Sequence, residues 1–409
     1  MKVFLRTFGC RANQYDTEAV RALLAGAGIE EATTPGDADI AVFNSCTVTA
    51  EAEADLRSGV RSAARMNPSI RTVVTGCAAG VAGRDERISP LGTLPSVDAV
   101  IPGADITALA AALGIAGSPS IAGEQSGARA LLRIQDGCDE HCTFCATTRA
   151  RGANRSRQAT SLVAEALKLA ESHPEIVLTG IHIGTYGRDT GSSLGALVEL
   201  LVTEVPTVRF RLSSVEATEV DDRLARLLLD DPSRLAPHLH APLQSGSDAV
   251  LRRMGRNWYD AAAYEQAVLR LTRHRPVFAL SADVIAGFPG ESEADHLATM
   301  RIVERLPFTS LHVFPYSARP GTPATRLSGP VSGAVARRRA AELRELAQAK
   351  AVAYAGSRRG TTCDVVVTER GRGLTEDYLS VSLPDRTIPR RSRFRGVLGG
   401  DGELSATAA

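Results

Sequence analysis

The chain has 409 residues, 44% of them hydrophobic and 23% charged, with a formal net charge of +1. That length suits two or three domains with a large core, and the composition excludes a fibrous or disordered chain. The near-neutral charge singles out no polyanionic partner, and no apolar run approaches the roughly 18 residues of a membrane helix. A strand pattern begins almost at the first residue, which leaves no room for a secretory leader. Lysine occurs only as Lys2, Lys168 and Lys350, so the arginine bias reads as codon composition rather than as a sign of RNA. Seven cysteines, six of them in two groups, fit metal ligation in a reducing, cytoplasmic setting.

Residues 1–113 alternate strand and helix patterns. Strands are expected at 3–8, 40–44 and 71–75, with amphipathic helices at 16–27, entered from an Asp16 cap, and at 50–66. Such alternation predicts a small parallel α/β domain. Cys10, Cys46 and Cys77 each fall just past a strand's carboxyl end, the rim where open parallel sheets collect ligands. Any one of them reads equally well as a small buried apolar residue. Three in register, with Gly9 and Gly76 alongside, point to a site with three thiolates and an open position.

Residues 114–128 are rich in Gly, Ser and Ala and read as a linker. From 129 to 327 the alternation resumes, with strands at 130–135, 176–179, 209–212, 238–242, 277–284 and 310–314 and helices such as 160–172 and 292–306. Six strands close only part of a barrel, since a full one needs eight. The open side suits a macromolecular substrate. After the first of these strands comes Gly137-Cys138-Asp139-Glu140-His141-Cys142-Thr143-Phe144-Cys145. Three thiolates so closely spaced cannot reach one centre from a regular helix or strand, so the segment must be a loop around its ligand. Iron–sulfur clusters normally take four cysteines; here one iron would be left open to a small molecule. Zinc would need His141 as a fourth ligand, and a disulfide would leave one cysteine over.

This loop resembles that of the radical S-adenosylmethionine superfamily, down to the aromatic Phe144 before the last cysteine. Together with Thr7-Phe8-Gly9-Cys10-Arg11-Ala12-Asn13-Gln14-Tyr15-Asp16, Asn44-Ser45-Cys46-Thr47-Val48-Thr49 and Val74-Thr75-Gly76-Cys77, the chain is similar to the methylthiotransferase family of that superfamily. The resemblance implies two 4Fe-4S clusters. One would sit on Cys138, Cys142 and Cys145 and bind S-adenosylmethionine, and an auxiliary one on Cys10, Cys46 and Cys77. It also implies that Phe144, Thr179, Gly180, Glu216 and Gln244 line the S-adenosylmethionine site. These belong to motifs at successive strand ends: Thr179-Gly180-Ile181-His182-Ile183-Gly184, Ser213-Ser214-Val215-Glu216, His240-Ala241-Pro242-Leu243-Gln244 and Asp283-Val284-Ile285-Ala286-Gly287. Each alone is also an ordinary turn or cap. The first of them and His312-Val313-Phe314-Pro315-Tyr316-Ser317 look most like the branch acting on threonylcarbamoyladenosine in tRNA.

One departure stands out. Where the family has two aliphatics, a proline and an aromatic after the third cysteine, this chain has Ala146-Thr147-Thr148-Arg149. The missing bulk bears on cluster shielding and substrate entry rather than on ligation.

Residues 331–356 read as a long helix connecting, over 328–356, to a β-rich end at 357–409 that resembles the small antiparallel module called TRAM. Strands are expected at 362–367, 378–382 and 386–394, and residues 405–409 as a disordered tail. Arg386, Arg391, Arg393 and Arg395 form an arginine strip, three of them on one strand face by alternation, suited to RNA phosphates. A solvated edge strand is the other reading. The fold class expected is α/β: a small parallel domain, a partial (β/α)6 barrel and the antiparallel module.

The resemblance implies radical 2-methylthiolation of a hypermodified adenosine beside the anticodon of tRNA, with the anticodon stem-loop as partner. An electron donor such as flavodoxin or ferredoxin and a sulfur donor would be needed, and no membrane. The alternatives are a methylthiotransferase for isopentenyladenosine or for a ribosomal-protein aspartate, and a non-catalytic iron–sulfur protein that binds RNA or carries electrons.

Overall fold

The computed structural model describes residues 1–47, 50–83, 90–102, 105–116, 123–273, 275–400 and 404–405. Val48, Thr49, residues 117–122 of the expected linker and residues 406–409 of the expected tail lie outside them. The chain forms two compact units, each assembled from separate stretches: residues 1–123, 135–155 and 317–325, and residues 124–134, 156–316 and 326–409. No helix among the described residues is long and apolar enough to cross a membrane.

The first unit is built on a five-stranded parallel sheet. Its strands are β1 (Lys2–Thr7), β2 (Glu30–Ala32), β3 (Ile40–Ser45), β4 (Arg71–Gly76) and β5 (Val97–Val100), in the order β2-β1-β3-β4-β5. Helices α1 (Arg11–Gly26), α2 (Ala50–Met66), α3 (Cys77–Ala82) and α4 (Ile106–Ala112) alternate with them, and α5 (Thr147–Arg151) is contributed by the later stretch. Alternation sends Val42 and Val73 into one core with Val3, Val20 and Leu24. It sends Phe43 and Val74 into a second core with Leu56 and Val60. Both faces of β3 are thus covered, which is why it reads as an unbroken buried run. Edge strands β2 and β5 are short and escaped the sequence pattern. So did the true start of α1: it begins at Arg11, and Asp16 lies buried inside it rather than capping it.

The second unit holds six strands in chain order, β6 (Ala130–Arg133), β7 (Glu175–Thr179), β8 (Arg209–Leu212), β9 (His238–His240), β10 (Ala279–Ala286) and β11 (Phe308–Pro315). Neighbours are parallel, and single bridges at Phe210–Leu235 and Ser214–His240 join β8 to the β9 segment. Between and after the strands run α6 (Ala159–Ala170), α7 (Leu194–Glu204), α8 (Asp222–Asp230), α9 (Asp248–Arg253), α10 (Ala261–Thr272), α11 (Glu293–Arg305) and α12 (Gly333–Ser357). This is the partial (β/α)6 barrel. Leu132, Leu178, Phe210, Leu239, Leu280 and Val284 enter one core with Leu162, Leu197, Val268 and Val303 of the helices. The alternate strand positions are largely polar: Glu175, Thr179, Arg209, Arg211, His238, His240, Ser281 and Asp283.

After α12 the chain forms an antiparallel sheet of β12 (Thr362–Glu369), β13 (Arg372–Thr375), β14 (Ser380–Ser382), β15 (Arg393–Leu398) and β16 (Leu404–Ser405), ordered β14-β13-β12-β15-β16. Cys363 is buried in its core with Val365, Val367, Val381 and Leu398. The strand expected at 386–394 does not form there. Pro389 lacks a ladder donor, Arg391 takes a left-handed φ of 71°, and the strand starts only at Arg393. Arg391 and Arg393 therefore do not share an open strand face.

The module is bolted to the barrel strands by buried charge. Glu175 accepts from Arg209 Nε and Arg211 Nε, each at 2.7 Å, and all three side chains are fully buried. Arg211 donates onward to the carbonyls of Thr375 and Glu376 at 3.0 Å, and Arg209 to that of Asp364 at 3.0 Å. Tyr378, at φ 71°, stacks on His238 with ring centroids 4.6 Å apart.

Candidate metal centres and cofactor site

Cys10, Cys46 and Cys77 follow β1, β3 and β4, which are neighbours in the sheet, so one rim carries all three. Asn13 Oδ1 accepts from Cys10 Sγ at 3.4 Å and from Cys77 Sγ at 3.7 Å. Its amide is held by donation to Asn44 Oδ1 at 2.8 Å and to the Ser45 carbonyl at 2.6 Å, so Oδ1 can face only the thiols. Cys46 closes the trio. A Cβ on Gly9, whose φ is +118°, would stand 2.8 Å from Cys46 Sγ, so only glycine fits. Burial pushes the Cys77 thiol up to about 12; the Arg151 guanidinium pulls the other way, and Cys10 and Cys46 add to the rise.

Arg151 is the residue that sequence reasoning missed. Its side chain is 1% exposed, and it pairs with Asp16 at 2.7 Å and Asp136 at 3.5 Å. Nε donates to Cys77 Sγ at 3.3 Å. A guanidinium so placed favours negative charge on that sulfur. Its only sequence signal is an arginine just after a cysteine loop.

The Cys138, Cys142 and Cys145 loop is closed on itself. Cys138 N donates to the Gly152 carbonyl at 3.0 Å and Cys145 N to that of Cys142 at 3.1 Å. Gln135 Nε2 bridges the Gly137 carbonyl at 2.6 Å and Asn154 Oδ1 at 2.7 Å. Gly137, at φ +75°, would place a Cβ 1.9 Å from the Ala153 carbonyl. The three cysteines and Phe144 are half-buried, whereas His141 is exposed. From the stretch 317–325, the Gly321 carbonyl accepts from Arg149 at 2.8 Å, and Ala324 N donates to the Thr143 carbonyl at 2.8 Å.

Both cysteine trios lie in the same compact unit. Helix α3 starts at Cys77 and packs on α5, with Gly80 so close that a Cβ would sit 2.4 Å from the Ala150 carbonyl. Ala146 and Ala150 touch Cys77 and Val81. The small residues of the atypical 146–149 segment and its continuation are thus what this helix contact accommodates.

In the second unit, the strand ends gather a different set. Thr179 ends β7 and is buried, with half-buried Gly180 next to it. Glu216 is 6% exposed and accepts from Arg256 Nη2 at 2.5 Å. Its Oε2 is buried with no hydrogen-bond partner. Burial raises the Glu216 carboxyl above its ordinary value, against the pull of Arg256. Gln244 is 8% exposed with φ 61°, a left-handed backbone that costs about 1–3 kcal/mol in a non-glycine residue and tends to mark functional sites. Beside it runs a polar chain along β9, β10 and β11. His238 Nε2 meets Ser281 Oγ at 3.3 Å, and Ser281 Oγ meets His240 Nδ1 at 2.9 Å. Asp283 then lies 3.3 Å from His240 Nε2 and 3.4 Å from His312 Nδ1. Burial opposes its ionisation, but the hydrogen bonds of the two imidazoles outweigh this and hold Asp283 well below the usual carboxylate range.

Comparison with known proteins agrees with this layout. The family model described as uncharacterized protein family UPF0004 matches residues 2–100, and the radical SAM superfamily model matches 132–303. A threonylcarbamoyladenosine tRNA methylthiotransferase MtaB of Aquifex aeolicus is 33% identical over 401 residues, covering 93% of this chain and 96% of that one. The chain belongs to the radical SAM methylthiotransferases. The MtaB protein of Bacillus subtilis is 34% identical over 94% of this chain and 88% of its own. The radical SAM methyltransferase TsrM of Kitasatospora setae shares the fold at 15% identity, with a TM-score of 0.59 over 79% of this chain and 76% of that one. As a methylthiotransferase, the enzyme uses S-adenosylmethionine and two 4Fe-4S clusters. The residues present fit those groups: two sets of three thiols, soft donors suited to iron–sulfur, and a buried carboxylate oxygen at the strand ends with no donor of its own.

Proposed function

We propose that the enzyme methylthiolates carbon 2 of N6-threonylcarbamoyladenosine next to the anticodon of tRNA. The observation that carries this reading is the pairing of two incomplete cysteine trios in one compact unit. Cys138, Cys142 and Cys145 hold the cluster that binds S-adenosylmethionine, and Cys10, Cys46 and Cys77 hold the auxiliary one. When bound, the first cluster and S-adenosylmethionine supply radical chemistry able to act on an unactivated carbon–hydrogen bond, and the second presents sulfur.

The remaining work falls to the chain. Glu216 Oε2 would accept from a hydroxyl or ammonium group of S-adenosylmethionine, and the Arg256 pair on the other oxygen keeps the carboxyl group aimed. Thr179, Gly180 and Gln244 stand at the strand ends of the same unit as Glu216, and Phe144 stands within the cysteine loop of its own. Arg151 supports the Cys77 sulfur. The adenine must leave its stack to be reached, which is easiest in a single-stranded loop. A flavodoxin or ferredoxin serves as electron donor, and a separate sulfur donor restores the sulfur used. What supports this choice of base is the name of the MtaB relatives, which cover nearly the whole chain.

The test is anaerobic incubation of reconstituted enzyme, S-adenosylmethionine and dithionite with tRNA carrying either threonylcarbamoyladenosine or isopentenyladenosine. Mass spectrometry of the nucleosides should find the 2-methylthio product only with the first. Product only with the second overturns the choice of base.

A further inference from the structure

Seven arginines of the C-terminal module fall into two sets, with Arg359 and Arg395 exposed and outside both. One set faces inward. Arg358 is buried against Asp377 at 2.6 Å and Glu376 at 3.0 Å. Arg393 takes Asp364 with both Nε and Nη2, at 2.9 and 2.6 Å, and donates to the Ser233 carbonyl at 2.6 Å. Arg391 is paired with Glu124 and donates to the Gln125 carbonyl at 2.6 Å, while Arg390 reaches the carbonyls of Thr368 and Ser126. These side chains tie the module to itself, to the segment entering β6 and to the loop before β9. Each of them spends several donors within the chain.

The other set is Arg370, Arg372 and Arg386. All three are exposed, and among the described residues none is paired with a carboxylate. They line one cleft of about 500 Å³ with Gly371, Ser382 and Pro384. The fold brings them together in three steps. The β12–β13 turn places Arg370 and Arg372 on either side of Gly371. Arg372 pairs in register with Ser382 of β14. The chain after β14 then returns across Gly371, whose φ of +74° and missing Cβ leave room: a Cβ there would lie 3.3 Å from Arg386 Cγ. Three exposed guanidiniums around one opening give it a positive field that attracts an anion.

We propose that this cleft is an RNA-phosphate site, and that it, rather than the strip at Arg391 and Arg393, is where the module grips tRNA. The inference rests on tRNA being the substrate. Three planar donor forks around one opening suit successive backbone phosphates, which a guanidinium binds with two parallel hydrogen bonds. Such contacts set position without reading sequence.

The experiment is tRNA binding to the full-length reconstituted enzyme across a salt series, followed by fluorescence anisotropy. The R370A/R372A/R386A variant should bind more weakly, and the slope of log affinity against log salt should be shallower by about 2–3, the counterion release of three lost contacts. R370K/R372K/R386K should keep most of the slope. R391A/R393A should keep the slope but melt at lower temperature, because it removes internal ties. If the triple alanine variant keeps the wild-type slope, or the loss appears in R391A/R393A instead, the cleft is not the site although tRNA is still the substrate. If the intact enzyme shows no salt-dependent tRNA binding, the cleft proposal and the substrate reading both fall.

Discussion

Arg151 and Glu216 carry the sharpest tests at the level of single side chains. Arg151 is buried against the N-terminal trio, and removing it breaks its buried pair with Asp16. Loss of one partner of a buried pair typically costs about 3–5 kcal/mol. In a background where Cys138, Cys142 and Cys145 are alanine, R151Q should retain fewer irons than Arg151, with R151K between them, by iron and sulfide assay. Equal iron in R151Q would mean that the arginine only braces α5. Glu216→Gln keeps the shape but removes the charge from the orphan oxygen. S-adenosylmethionine affinity should fall about tenfold or more, the size of one charge-assisted hydrogen bond, in equilibrium dialysis of the reconstituted protein. The grouping of six cysteines into two trios was legible from spacing and strand position. Asn13, Arg151 and Asp16 were not, because each acts through a tertiary contact that joins residues far apart in sequence, and polar side chains of that kind look like surface ones in a linear reading.

Elements show a similar division. Parallel strands with both faces covered announce themselves as apolar runs, so β1, β3 and β4 and the six barrel strands were visible, along with the helix expected at 292–306, which a capping box at Ser292 starts. The short edge strands β2 and β5 were not, nor was the break at Pro389 and Arg391. Alternation alone cannot see a left-handed residue. The junction of β7, β8 and the C-terminal module was equally hidden, since Glu175, Arg209 and Arg211 look like exposed strand residues until the module covers them. Burial works against the Glu175 carboxylate, but Arg211, Arg209 and Arg129 hold it well below the ordinary range. The sign follows from linkage: a depressed carboxyl contributes stability that is present above its unfolded value, near 4.3, and is lost as pH falls through the folded one. E175Q should therefore lower stability by about 3–5 kcal/mol at neutral pH, by urea denaturation. It should lose less than wild type on acidification. A variant as stable as wild type, with the same acid limb, would show the cluster to be dispensable.

On the scale of the molecule, the division into units cuts across the sequence order. The loop of Cys138 follows β6 directly in the chain, yet it counts with the N-terminal sheet, as does the 317–325 stretch. One unit thus contains both cysteine trios, and the other contains the strand-end carboxylate, Gln244 and the arginine cleft. Spacing and composition gave the barrel and the sheet; they gave no hint that the catalytic loop packs with the sheet through Gly80, Ala146 and Ala150. Gly80→Leu should break that helix contact. Because it lies off both sets of ligands, its effect should read as loss of the auxiliary centre's iron with the second centre's spectrum retained. The account rests on two iron–sulfur centres, each held by three of this chain's cysteines. It is tested most directly by counting iron in anaerobically reconstituted protein, wild type beside C10A/C46A/C77A. Two cubanes predict about eight irons per chain, falling to about four in the variant; about four in the wild type, unchanged by the three substitutions, would contradict it.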